Sequence, residues 1–252
     1  MIRAIILLVI SFYGLVGMGH DHSPHDSDPS ASPQLGLDLR YILKDGLLTY
    51  IGEVQAHQNN FGREIYSAQI LAYYRLHTNL KVGVLVRQQY GAVHDDDWLE
   101  DSGDWFWGET QNRRETQFGL DVTPRILLSD CLVGEIKLRY MYNDFNHHQT
   151  LKVRPGVTYF WLKQGKPFWN LFGRWERYVP LNFGNHSVYE DWLYLGGLFH
   201  KTPSFKPGFF VALKRGYWTP SQQAKVIRPG ESYEYTENTV VLGLSFTFLN
   251  SL

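Results

Sequence analysis

Much of what commonly identifies a protein is missing from this 252-residue sequence. It has a single cysteine, Cys131, so no disulfide can form within the chain. Cys131 closes the expected tight turn 128–131 and reads as structural or incidental. Neither sign of charge dominates: 24 Lys and Arg face 25 Asp and Glu. That balance says nothing about nucleic acid or acidic partners, and no nucleic-acid partner is expected. A glycine-rich phosphate loop, a cysteine-based zinc pattern and a nucleophile elbow are all absent from the sequence. Beyond the first ten residues, no apolar run is long enough for a membrane-spanning helix.

What is present is a rhythm of two. In the last expected strand, Leu242, Leu244, Phe246 and Phe248 alternate with Val241, Gly243, Ser245 and Thr247. Alternation of this kind gives a strand one apolar and one polar face. Ten such strands are predicted near 47–57, 65–76, 80–93, 114–127, 132–143, 151–162, 168–178, 188–200, 208–217 and 238–248. Their links are alternately short and long, with turn residues such as Thr78-Asn79, Ser129-Asp130 and Gln164-Gly165 in the short ones. The segment 35–43 also alternates and is followed by Asp45-Gly46, a hairpin signal. An eleventh strand there would put the first strand's start on the wrong side. The segment is therefore left as an extension, a lumenal piece or one strand of a twelve-stranded barrel.

The N-terminus has the layout of an export signal. Arg3 precedes the apolar run 4–10 and small residues up to Gly19, so residues 1–19 are expected to be a signal peptide. Residues 20–34, rich in His, Asp, Ser and Pro, are expected to be a disordered periplasmic tail. His20, His22 and His25 in that tail form a candidate site for a borderline metal, although a solvated tail is the simpler reading. The barrel domain is assigned to residues 35–252.

Strands of this length, with alternating links after an export signal, resemble the bacterial outer-membrane β-barrel proteins. The segment Gly243-Leu-Ser-Phe246-Thr-Phe248 is similar to the C-terminal assembly signal of that group, except that residues 249–252 follow it. The fold class is therefore all-β: an up-and-down antiparallel transmembrane β-barrel of ten strands, or twelve. The resemblance implies a place in the bacterial outer membrane, with short turns in the periplasm and long loops outside. It implies the lipid bilayer, lipopolysaccharide and the outer-membrane assembly machinery as partners. A soluble β-sandwich is the structural competitor, and it would bury Val84, Leu120, Leu138 and Trp175.

Charged residues cannot face lipid cheaply, which assigns the inner face. Arg75, Lys81, Arg87, Arg125, Lys137, Arg139, Arg154, Arg174 and Lys214 are expected inside, with Glu53, His57, Asp121, Glu135, Glu176 and Glu190. Two readings compete. The charges pair and plug a narrow interior, or the surplus of cations lines a channel or binding site for a small anionic or sugar-like solute.

The second long link carries a run of acids. Asp95, Asp96, Asp97, Glu100, Asp101, Asp104 and Glu109 fall within 94–109 without a Lys or Arg. Asp95, Asp97, Asp101 and Asp104 are candidate ligands for Ca or Mg; no other cofactor is expected. The segment Asp95-Asp-Asp97-Trp98 is also similar to the first acidic pair of the omptins, ten-stranded outer-membrane proteases. That resemblance implies that Asp95 and Asp97 position an attacking water, with His186 or His147 as a candidate base. The Asp-x-His pair expected on the opposing loop is absent. A non-enzymatic barrel is therefore the preferred reading, and an omptin-like hydrolase the alternative.

Overall fold

The computed structural model describes residues 34–58, 64–91, 97–101, 104–108, 113–145, 147–182, 190–218 and 235–251. They form strands only: β1 (Gln34–Asp45), β2 (Leu48–Gln58), β3 (Glu64–His77), β4 (Leu80–Gly91), β5 (Asp97–Asp101), β6 (Asp104–Gly108) and β7 (Arg113–Ser129). Then follow β8 (Leu132–Asn143), β9 (Gln149–Lys163), β10 (Lys166–Pro180), β11 (Glu190–Phe199), β12 (Phe205–Trp218) and β13 (Tyr235–Ser251). Eleven of them close one barrel in the order β1-β13-β12-β11-β10-β9-β8-β7-β4-β3-β2. Strands β5 and β6 pair with each other as a separate hairpin within the acidic link, with Trp98 opposite Trp107.

The strand count corrects the expected ten or twelve. Segment 35–43 is neither an extension nor a lumenal piece: it is β1, part of the wall, and Gln34 belongs to it. In an up-and-down barrel with an odd count, the first and last strands run the same way. The closure is accordingly parallel, from Gln34 opposite Val241 to Lys44 opposite Ser251. All other neighbours in the wall are antiparallel. Gln34 therefore sits on the long-link side of the barrel and Ser251 on the short-turn side.

Local chemistry explains the short turns. Gln164 and Gly165 both take positive φ, 52° and 72°, as a two-residue type I′ hairpin requires. Register shifts fall between Arg75 and His77, Leu127 and Ser129, and Pro167 and Trp169. Each lies next to a short turn, at the barrel rim where bulges commonly gather.

The wall is inside-out relative to a water-soluble protein. Outward side chains are large and apolar, and Val84, Leu120, Leu138 and Trp175 expose 57%, 58%, 39% and 43% of their surface. The sandwich competitor required those four to be buried. Aromatic side chains crowd the short-turn side of β9 to β12. Phe199 packs edge-on to Phe168 at 5.1 Å and lies 5.3 Å from Trp169, which meets Phe209 at 6.2 Å. A shallow apolar groove of about 500 Å³ crosses the outside of β7 to β11, between Ile126, Ile136, Val157, Trp175 and Leu193.

Candidate functional site: the charged lumen

Among the described residues, the inward positions hold most of the buried polar side chains. Asp121, Arg139, Lys137, Glu176 and Glu53 are 2–7% exposed. Isolated charges in such a place would be very unfavourable, so each needs a partner. Strand register supplies them. Tyr73, Gly83, Asp121, Arg139, Lys152 and Tyr178 stand opposite one another in one continuous row across β3, β4, β7, β8, β9 and β10.

Asp121 is the hub of this row. Arg139 donates to it through Nε at 2.6 Å and Nη2 at 2.8 Å, the forked geometry that suits a carboxylate. Lys137 Nζ lies 2.9 Å from the same carboxylate and donates to Tyr73 Oη at 2.8 Å, while Tyr73 donates its hydroxyl to Asp121. The Tyr73 ring lies where a side chain at position 83 would stand: a Cβ on Gly83 would come within 2.5 Å of it. Leu71, Leu85 and Met141 pack with Tyr73 into a small apolar cluster inside the barrel.

Two further carboxylates organise other parts of the lumen. Glu176 accepts from Lys152 at 2.8 Å and from the Tyr178 hydroxyl at 2.6 Å, with Arg154 at 3.6 Å. Glu53 accepts from Arg40 Nε at 3.1 Å and from Gln69, and Arg40 also holds Asp38 at 3.1 Å. Beside the Glu176 network, Trp192 and Tyr194 stack at 5.4 Å, Lys214 lies 5.3 Å from the Trp192 ring, and Phe210 meets Tyr194 at 5.8 Å.

All nine expected lumenal cations lie in the inward rows of the wall. Arg75 has inward parity but stands exposed next to the short turn 78–79. Lys137, Arg139, Arg154 and Arg125 have carboxylate partners, Arg125 through Glu135 at 3.1 Å. Among the described residues, Lys81, Arg87, Arg174 and Lys214 have no carboxylate within ion-pair distance. Arg87 donates to Ser67 Oγ at 3.1 Å, and the other three lie over the rings of Tyr73, Phe172 and Trp192. Inward Asp38, Arg40 and Lys152 were overlooked in the sequence. The first two sit on the strand left out of the wall. Lys152 shares its parity with Arg154, a signal that was available.

Of the remaining metal and catalytic candidates, only His147 has a described side chain. Asp95, His186, His20, His22 and His25 lie outside the described residues. Asp97, Asp101 and Asp104 are placed only as backbone, in the β5–β6 hairpin. No cluster of three His, Cys, Asp or Glu side chains suited to a metal occurs among the described residues. On the short-turn rim, His200 Nε2 meets Asn170 Oδ1 at 2.8 Å. Partial burial and the Lys206 cation hold this imidazole below its ordinary protonation range.

No protein-family model matches the sequence, and no curated protein matches it significantly.

Proposed function

We propose that this chain is a bacterial outer-membrane β-barrel whose lumen is plugged, and that it acts through the links it presents at the outer rim. One contrast carries the reading: apolar side chains cover the outside, while inward Asp121, Lys137, Arg139, Lys152 and Glu176 are buried and ion-paired. An apolar exterior on a closed sheet suits a bilayer, where each strand's backbone must be satisfied by its neighbours. A lumen meant for free diffusion would keep its charged lining wet. Here Ala212, Asp121, Val241 and Leu71 are 0–3% exposed. The expected signal peptide and the aromatic short-turn side fit the same placement, with the short turns facing the periplasm.

A second reading, a narrow anion-selective channel, draws support from the four cations without carboxylate partners. The omptin-like reading rests on sequence resemblance at Asp95 and Asp97 alone. Single-channel recording of the refolded protein in a planar bilayer separates the first two. A plugged barrel that is folded by heat-modifiability stays silent, and Tyr73→Ala introduces openings. Stable anion-selective openings in the unaltered protein, weakened by Arg87→Ala and Arg139→Ala, would replace the plugged reading with the channel.

A further inference from the structure

On β7 and β8 the lumen on the short-turn side of the Asp121 hub is poorer in carboxylates than in cations. Arg125, Glu135, Gly156 and Arg174 stand opposite one another in a single inward row across β7 to β10. In the adjoining row Lys81 is opposite Thr123, and Lys137 is opposite Arg154. Glu135 is engaged by Arg125 at 3.1 Å. Glu176 is engaged by Lys152 and Tyr178, which leaves Arg154 at the longer distance of 3.6 Å.

Unpaired donors add to this imbalance. Arg154 Nε and Arg174 Nε are both buried and have no acceptor. A guanidinium carries only donors and stays charged, so a buried N–H without an acceptor is a standing penalty. Were these cations present only for packing, apolar residues of similar volume would serve at least as well. Gly156 gives the Arg174 stem its place: a Cβ there would come within 2.9 Å of Arg174 Cγ. Arg125 connects the cluster to the short-turn rim, since its side chain is 45% exposed.

We propose that Lys81, Arg125, Arg154 and Arg174 form a binding site for a phosphate-like oxyanion that reaches the lumen from the short-turn rim. An oxyanion supplies what the cluster lacks: negative charge and several acceptor oxygens for guanidinium donors on neighbouring strands. The site needs no open channel, because the Asp121 network separates it from the long-link side on β7 and β8. The ligand is either free phosphate or the phosphate of a lipid headgroup, which share this chemistry.

The test uses the full chain refolded in detergent micelles, with inorganic phosphate as the probe and its phosphorus NMR linewidth as the readout. Folded wild-type protein broadens the phosphate signal in a saturable way. Arg174→Gln and Arg154→Gln each weaken binding by roughly tenfold, the loss expected for one charge-assisted hydrogen bond. Arg177→Gln leaves binding unchanged, because Arg177 pairs with Asp191 on the outer face. If an interior variant fails to fold, Lys81→Gln, next to a short turn, replaces it. A short-chain phosphatidylglycerol that binds where inorganic phosphate does not, and loses binding in the same variants, identifies a headgroup as the source. Absence of saturable binding of either probe, or binding equal in wild type and the Arg154→Gln/Arg174→Gln double variant, overturns the proposal.

Discussion

On β7 and β8, outward Leu120 and Leu138 expose 58% and 39% of their surface, while their inward neighbours Asp121 and Arg139 expose 2% and 5%. One residue step along the strand reverses both polarity and burial. In a water-soluble protein the two faces would be exchanged, with leucines packed inside and the ion pair wet. The difference teaches that the two faces are stabilised by different means. The inner face depends on specific partners, since each buried charge must meet its counter-ion at hydrogen-bond distance. The outer face of β7 and β8 carries apolar side chains, Phe118, Leu120, Ile126, Ile136 and Leu138, where the inner face carries charged ones.

The contrast is broken most severely from the inside. Asp121→Ala leaves Lys137 and Arg139 buried without their carboxylate, and stability falls by about 3–5 kcal/mol. Urea titration of the protein folded into lipid vesicles measures the loss. A change below about 1 kcal/mol would mean that water already reaches this network.

An outward charge tests the opposite face. Leu120→Arg costs about 2–4 kcal/mol if the residue lies near the bilayer midplane. The same vesicle titration reads it, and an unchanged midpoint would place the outer wall in water.

The smallest effect separates packing from charge. Gly83→Ala puts a methyl group against the Tyr73 ring without altering any ionic partner, and overpacking of this kind costs about 1–3 kcal/mol. Thermal unfolding in micelles detects it. Full stability in this variant would show that the Tyr73 ring moves freely within the lumen.

Much of the wall was legible as alternation, because the side-chain period of a strand is a local property. The outward placement of Val84, Leu120, Leu138 and Trp175 needed only parity, and all four are exposed. So did the inward assignment of Asp121, Lys137 and Arg139, all buried. Strand β1 shows where local reading stops. Its alternation was visible, yet whether Leu35–Leu43 joins the wall depends on a partner two hundred residues away. An eleventh strand puts the start of the first on the wrong side of an even-stranded plan, and only the parallel pairing with β13 accommodates it. The β5–β6 hairpin was hidden for another reason: the acids of that link suggested metal ligands before a pair of strands.

By itself, then, the sequence determined an all-strand chain, the polarity of each face and the alternation of short and long links. All of these follow from side-chain chemistry at positions one or two residues apart. Tertiary structure alone decided the count of eleven, the parallel seam and the choice of partners: Asp121 with Arg139 and Lys137, Glu176 with Lys152, and Arg174 with no carboxylate among the described residues. Those outcomes are set by closure and register, which bring together side chains from strands that local sequence cannot align.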